Sequence, residues 1–278
     1  MYKVIEIAER VSAVANLVKI DGRVSWVPPD VTGFEPYYTY LVESDETLLV
    51  IDPGMVVHWP AVHAAIEERL AGRRLMVFNT RSELECIASL GRLMDSFDNV
   101  QTITSCPLNP FDLMHRKQPQ RMHPPSAYVG FGESLQDFGF AHLHSLRPVI
   151  KMLGTSWLYD SRGKVLFSTD CFGGDFLATP DEPLVRTTLE GAPDKAQLRA
   201  TMLAKFDWLE NADTELLRRF WDGLFDQIDV EVIAPTHGRI QSGKLVASQV
   251  LNDYSDALLG PVGKSAERVT VERPDPIN

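Results

Sequence analysis

Long hydrophobic runs are absent from this chain of 278 residues. No stretch reaches the roughly 18 consecutive apolar residues that a membrane-spanning helix needs. The first residues, MYKVIEIAERV, mix charged and apolar side chains, so we expect no signal peptide here. Positive charge is also scarce, and the net charge of -11 argues against a nucleic-acid backbone or an anionic membrane as partner. These absences predict a cytoplasmic protein that binds neither nucleic acid nor membrane.

Cysteine is the next scarce residue, with three in the chain: Cys86, Cys106 and Cys171. An odd number of cysteines in a chain of this length predicts reduced thiols, as in a cytoplasmic protein. No two cysteines have CxxC spacing, which argues against a structural zinc knuckle. The remaining composition, 44% hydrophobic and 23% charged, is that of an ordinary globular protein with ample material for a core.

The order of predicted elements indicates an α/β (α+β) fold with two β-rich halves, each finishing in helices. Such an order suits two packed sheets with helices on both outer faces. We expect a single domain over residues 1–260, a long surface loop over 105–126 and a mobile tail over 261–278. Strands are predicted at 11–26 (a hairpin around Asp21-Gly22), 37–42, 47–51, 75–78, 100–104, 138–146, 157–159, 165–168 and 230–234. Helices are predicted at 60–70, 84–97, 195–209, 214–228 and 246–259.

One turn concentrates reactive side chains, the segment FNTRSELECIASL that begins at Phe78. It follows a buried strand and opens a helix, which is where α/β folds usually place their chemistry. The turn itself carries Arg81, Glu83, Glu85 and Cys86. Acidic residues in the first turn of a helix also simply favour the helix dipole, and a cysteine there is often a small packing residue.

Two later segments also deliver polar residues just after a strand: LFSTD, ending at Asp170, and IAPTHG, containing His237. Together with the first turn they resemble the metallo-β-lactamase superfamily, over about residues 11–254. Within it, LLVIDPG, IAPTHGRI and the late Tyr254 are most similar to the oxygen-binding diiron, or flavodiiron, branch. The resemblance implies an αββα four-layer sandwich with metal ligands along its rim. It also implies a homodimer.

The first motif departs from that family's pattern, which is His-x-(His or Glu)-x-Asp-His. This chain has Arg81, Glu83, Glu85 and Cys86 at those positions, and Lys151 aligns with the family's next histidine. Asp170 and His237 are retained. Arginine cannot deprotonate and offers no lone pair to a metal, so two metals are disfavoured. We expect Arg81 and Lys151 to pair with Glu83, Glu85 and Asp170 instead.

Three hypotheses follow. The first is a mononuclear iron, zinc or manganese site on Glu83, Glu85, Asp170 and His237, with Cys86 as a soft alternative ligand, in a hydrolase or an oxidoreductase. A redox role would require an external electron donor, because no flavin domain is predicted in this chain. The second is a metal-free protein that binds a small molecule or a partner, with Arg81 and Lys151 replacing the metal charge. The third is metal-free catalysis with Lys151 or Cys86 as nucleophile. Across these hypotheses the candidate catalytic residues are Asp170, Lys151 and Cys86.

Overall fold

A computed structural model describes residues 3–22, 27–105, 126–152 and 154–259. Its strands are β1 (Lys3–Ala8), β2 (Val11–Ile20), β3 (Gly33–Glu43), β4 (Thr47–Ile51), β5 (Arg74–Asn79), β6 (Gln101–Thr104), β7 (Ser126–Tyr128), β8 (Ser134–Leu135), β9 (Phe140–Leu146), β10 (Trp157–Asp160), β11 (Val165–Thr169), β12 (Val185–Arg186), β13 (Val232–Pro235) and β14 (Ile240–Ser242). Its α-helices are α1 (Trp59–Leu70), α2 (Leu84–Ile87), α3 (Leu90–Ser96), α4 (Lys195–Lys205), α5 (Thr214–Phe225) and α6 (Lys244–Leu259).

These strands form two mixed sheets. The first has the order β1-β2-β3-β4-β5-β6-β7, antiparallel as far as β4 and parallel from β4 to β7. The second has the order β12-β14-β13-β11-β10-β9-β8. Within it β11 and β13 are parallel neighbours, so their carboxyl ends meet at one edge. That edge carries two of the three polar segments predicted from the sequence.

Alternating side chains of the central strands build three apolar layers. In β4, Leu49 and Ile51 pack in the cluster between the two sheets. Their neighbours Leu48 and Val50 lie on the other face of the first sheet, in the cluster that includes residues of helix α1. A third cluster joins the outer face of the second sheet to α4, α5 and α6, with Trp221 of α5 buried in it. A strand that is buried on both faces has a continuous apolar sequence, as the LLVI segment of β4 does. The result is the predicted αββα sandwich.

The structure corrects one of the predicted elements. The helix predicted over 84–97 is divided into α2 and α3, because the loop after β4 takes part in the hydrogen bonding there. Gly54 N donates to the carbonyl of Cys86 at 2.7 Å, and Ser89 N donates to the carbonyl of Gly54 at 2.8 Å. The first arm of the hairpin predicted over 11–26 is a strand as expected: it is β2, which pairs with β1 and β3.

Other predictions lie outside the described residues: the loop over 106–125, the second arm of that hairpin at 23–26, and the tail from 260. Among the described residues, no helix has the length and apolar character needed to cross a membrane.

Candidate functional site

Three strand ends meet at one rim of the sandwich. Asp170 follows β11 and His237 follows β13, and Thr236 N donates to the carbonyl of Thr169 at 2.8 Å where these two strands end. Thr169 has a φ of 55°, a left-handed conformation that is costly for a β-branched residue and that turns the chain before Asp170. Arg81 arrives from the other sheet, after β5, where Ser156 N bonds to the carbonyl of Thr80 at 2.8 Å.

Two glycines allow the Asp170 and His237 loops to pack closely. A Cβ on Gly173 would lie 2.7 Å from the backbone oxygen of His237. A Cβ on Gly238 would lie 2.4 Å from the backbone oxygen of Gly173, and Gly238 also has a φ of 88°. Both distances are too short for a Cβ atom. Glycine at these two positions therefore allows the two loops to pack closely enough to fix the position of His237.

The guanidinium of Arg81 occupies the centre of this rim and is 2% exposed. Its Nε donates to Cys86 Sγ at 2.9 Å, and its Nη2 donates to Glu85 Oε1 at 3.0 Å. Nη1 donates to Glu83 Oε2 at 3.2 Å and to Asp170 Oδ2. Burial opposes the charge, but Cys86, Glu85 and Glu83 raise the pKa of Arg81 above its ordinary value. The centre of the site is therefore a fixed positive charge.

A second cation comes from Lys205, the last residue of α4. Its Nζ donates to Glu83 Oε2 at 3.0 Å and to Glu85 Oε1 at 3.1 Å, and it lies 3.4 Å from Asp170 Oδ1. Burial opposes ionisation of Glu83, yet Arg81 and Lys205 lower its pKa from 4.5 to about 2. Two cations thus hold three carboxylates together at the rim.

His237 lies between two buried carboxylates. Its Nδ1 is 2.7 Å from Oε1 of Glu35, and its Nε2 is 3.1 Å from Oδ1 of Asp170. Glu35 is completely buried. Both contacts are hydrogen bonds together only if the ring carries two hydrogens or one of the carboxyls carries one. The tautomer of His237 therefore decides which of the two carboxylates accepts a hydrogen bond from the ring.

Asp52 lies behind Arg81 and completes the buried charges of the rim. It accepts hydrogen bonds from Thr80 N at 2.9 Å and from Thr80 Oγ1 at 2.5 Å. Burial raises the pKa of Asp52 to about 6, although the bonds from Thr80 act in the opposite direction. The neighbouring Cys86 is completely buried, and this burial raises the pKa of its thiol well above the ordinary value. Cys86 is thus a neutral, enclosed thiol.

The structure brings most of the sequence-predicted site residues into one cluster. They are Arg81, Glu83, Glu85, Cys86, Asp170 and His237. The position expected for Lys151 is wrong. Lys151 is exposed and makes no ion pair with Asp170, because the ammonium in the site comes from Lys205.

Sequence reasoning missed Glu35 and Lys205. Glu35 had a weak signal, since it is the one charged residue within the otherwise apolar and aromatic segment GFEPYYTYLV. Lys205 had no signal, because a lysine in the last turn of a helix is ordinary. Its contacts span more than a hundred residues of sequence.

The residues of the rim do not fit a metal ion. Oxygens of Glu83, Glu85 and Asp170 accept hydrogen bonds from Arg81 or Lys205, so the cations lie against the atoms that would ligate. The remaining imidazole, His237, is hydrogen-bonded on both ring nitrogens. Among the described residues, no group of three or more His, Cys, Asp or Glu side chains is arranged to hold a metal.

A family model described as ODP family beta lactamase matches residues 36–238. The chain belongs to this family. The match covers most of the chain and includes Arg81, Asp170 and His237, so these rim residues lie within the region that the family model matches. The resemblance inferred from the sequence motifs is confirmed. No curated protein matches the chain.

Solved structures show the same fold at low sequence identity. A metal-soaked flavodiiron core from Synechocystis is 16% identical, with a TM-score of 0.66, over 92% of this chain and 60% of that one. The rubredoxin oxygen:oxidoreductase of Desulfovibrio gigas is 17% identical, with a TM-score of 0.66, over 91% of this chain and 61% of that one. A metallo-β-lactamase from Hirschia baltica is 12% identical, with a TM-score of 0.53, over 92% and 97% of the two chains. This chain therefore spans about three fifths of the first two proteins.

Proposed function

We propose that this chain is a metal-free member of the ODP family that binds a small molecule or a protein partner. In it, Arg81 and Lys205 supply the positive charge that a metal would supply between the carboxylates. The observation that carries the proposal is the set of four groups bonded by one guanidinium: Cys86, Glu83, Glu85 and Asp170. A guanidinium stays protonated and offers no lone pair, so it acts only as a counter-charge.

The alternative is a mononuclear metal site on Glu83, Glu85, Asp170 and His237, in a hydrolase or an oxidoreductase. It requires both cations to leave these carboxylates. The side chain of Arg81 is 1% exposed and that of Lys205 is 12% exposed. The guanidinium of Arg81 could therefore reach solvent only if the rim rearranged. A buried guanidinium that loses its carboxylate partners is strongly unfavourable. Catalysis by Cys86 is also disfavoured, since its thiol is enclosed and protonated.

Metal analysis tests this proposal directly. The chain is produced in medium supplemented with iron, manganese and zinc and is purified without chelator. Its metal content is then measured by inductively coupled plasma mass spectrometry. We expect less than about a tenth of an equivalent of any transition metal per chain, and a melting temperature that EDTA leaves unchanged. A triple variant that restores the family motif, Arg81→His with Glu85→Asp and Cys86→His, is the matched control and is expected to retain more metal. A wild-type chain that holds one equivalent and loses stability in EDTA would overturn the proposal.

A further inference from the structure

An apolar groove lies between helix α5 and the segment after β9. Its volume is about 490 Å³, within the range of about 300–1,000 Å³ that is usual for small-molecule sites. Apolar side chains form most of its lining: Pro148, Val149, Leu217, Phe220 and Leu224. None of the residues that line the groove belongs to the rim, so a ligand here does not depend on whether the rim holds a metal.

Helix α5 gives this groove a wall that a ligand can approach closely. Trp221 is buried in the core and anchors α5 to the second sheet, whereas Phe220 is 62% exposed beside the groove. Gly223 also lines the groove, and a Cβ at this position would meet no atom within 4 Å. Glycine is unfavourable inside a helix, and the packing of α5 does not require it here. The missing side chain instead deepens the groove.

Two exposed arginines, Arg147 and Arg219, line the same groove. Among the residues that the structure describes, neither guanidinium forms an ion pair with a carboxylate. The neighbouring Arg218 does form one, with Oδ1 of Asp256 at 3.2 Å. Arg147 instead lies with its guanidinium carbon 5.3 Å from the ring centre of Phe131, a contact that does not use its N–H groups.

This contrast is informative because acidic partners are abundant in the chain. It has 38 aspartates and glutamates but only 27 lysines and arginines. Two guanidiniums without a carboxylate in the described part of such a chain therefore leave a local positive charge beside an apolar surface. A ligand that complements both features has an anionic end and an apolar body.

We propose that this groove binds a small amphipathic anion, an aliphatic chain that ends in a carboxylate or a phosphate. The head lies at the two arginines, because a guanidinium stays protonated and donates two parallel N–H bonds to either kind of anion. The chain lies against the apolar wall. The remaining polar side chain of the lining, Gln227, already donates from Nε2 to the carbonyl of Gly223 at 2.6 Å. The groove thus offers little to hold a ligand that is polar throughout.

Isothermal titration calorimetry of the full chain tests the ligand class, with octanoate, octyl phosphate, uncharged octanol and acetate as probes. We expect at least one of the octyl anions to bind about tenfold or more tightly than octanol, because it adds charge-assisted hydrogen bonds. The tighter of the two identifies the head group. Acetate, which has no chain, should give no measurable heat of binding. Octyl anions that bind no better than octanol, or no better than acetate, would overturn the proposal.

The variant Gly223→Leu tests where the ligand lies. Leucine is a better helix former than glycine, and its Cβ meets no neighbouring atom, so the variant should keep the wild-type circular dichroism spectrum. The new side chain should fill the groove and raise the Kd of the octyl anion more than about a hundredfold. A folded Gly223→Leu chain that binds the anion normally would contradict the assignment of this groove.

Two arginine variants test the head group contact. Arg219→Ala should raise the Kd of the octyl anion about tenfold and leave that of octanol unchanged. Arg218→Ala is the matched control, because it removes the same charge from the neighbouring position, where the guanidinium pairs with Asp256 instead. It should leave the binding of the anion unchanged. Equal effects of the two arginine variants would overturn the proposal.

Discussion

Arg81 determines the character of the rim at the scale of a single residue. It is the side chain that contacts Cys86 and three carboxylates at once. Lysine could not replace it, since one ammonium cannot aim separate N–H groups along three directions in a plane. The charge of Arg81 also keeps Glu83 ionised, with a pKa near 2. Removing this one side chain would leave Glu83, Glu85 and Asp170 with one neighbouring cation, Lys205, instead of two.

Replacement of Arg81 by alanine is therefore expected to cost about 3–5 kcal/mol of unfolding free energy. Urea denaturation followed by circular dichroism measures the loss. Arg81→Lys should recover only part of it, because the forked geometry is missing. Arg10→Ala is the control: Arg10 pairs with Asp45 at the surface, and its loss should not shift the urea midpoint measurably. An Arg81→Ala protein as stable as wild type would contradict the role given to this residue.

Helix α4 decides which lysine completes the site. It begins with a capping box between Asp194 and Gln197 and runs to Lys205, where Phe206 leaves the helical conformation. The last turn therefore ends above Glu83 and Glu85, and the ammonium reaches both. Lys151, in the segment between β9 and β10, faces the surface. The position of a helix end, rather than the spacing of motif residues, supplies the second cation.

Two methionine substitutions separate these lysines. Lys205→Met should lower the unfolding free energy by about 1–3 kcal/mol, because Glu83 and Glu85 each lose one of their two charged donors and keep only Arg81. Lys151→Met should leave the urea midpoint unchanged, since Lys151 is exposed. The same denaturation curves measure both. Equal effects of the two substitutions, or a larger effect at Lys151, would refute the assignment of Lys205 to the site.

The whole molecule buries five ionisable side chains where its two sheets meet. Glu35, Asp52, Asp170, Arg81 and His237 are all at most 3% exposed. Enclosure by both sheets raises the pKa of Asp52 from 3.8 to about 6. The folded state therefore binds a proton at Asp52 more tightly than the unfolded state does. The stability that this proton contributes is complete below about pH 4 and is lost as the pH rises through 6.

Asp52→Asn removes this titration. The unfolding free energy of the variant, relative to wild type, should rise between pH 4 and pH 7 by up to about 3 kcal/mol, because the pKa of Asp52 rises from 3.8 to about 6 on folding. Urea denaturation at several pH values measures the difference between the two proteins. Glu83, with a lowered pKa, affects both proteins equally, and its contribution is lost as the pH falls from about 4.5 through about 2. If the unfolding free energies of the two proteins changed with pH in parallel, Asp52 would not be the group responsible for the loss of stability.

The fold and the place of the site could be predicted from local sequence. Apolar runs such as LLVI identify strands buried on both faces, and a turn such as DSRG closes its hairpin because Asp160 accepts hydrogen bonds from Arg162 N and Gly163 N. Polar residues after β5, β11 and β13 were predicted to converge, and they do, because the ends of these strands lie at one rim. The sequence periodicity of a strand and the side chains that favour a turn are local properties, so both can be recognised from neighbouring residues.

Only the tertiary structure decided which charges balance one another. Glu35 and Lys205 enter the site from a distant strand and from the end of a distant helix, and neither belongs to a motif. The division of the predicted 84–97 helix also depends on a contact with Gly54, which is remote in sequence. The sequence alone determined that Arg81, Glu83 and Glu85 lie in one turn after a buried strand. The folded chain determined that the partner cation is Lys205, because electrostatic pairing depends on distance in space and not on distance along the chain.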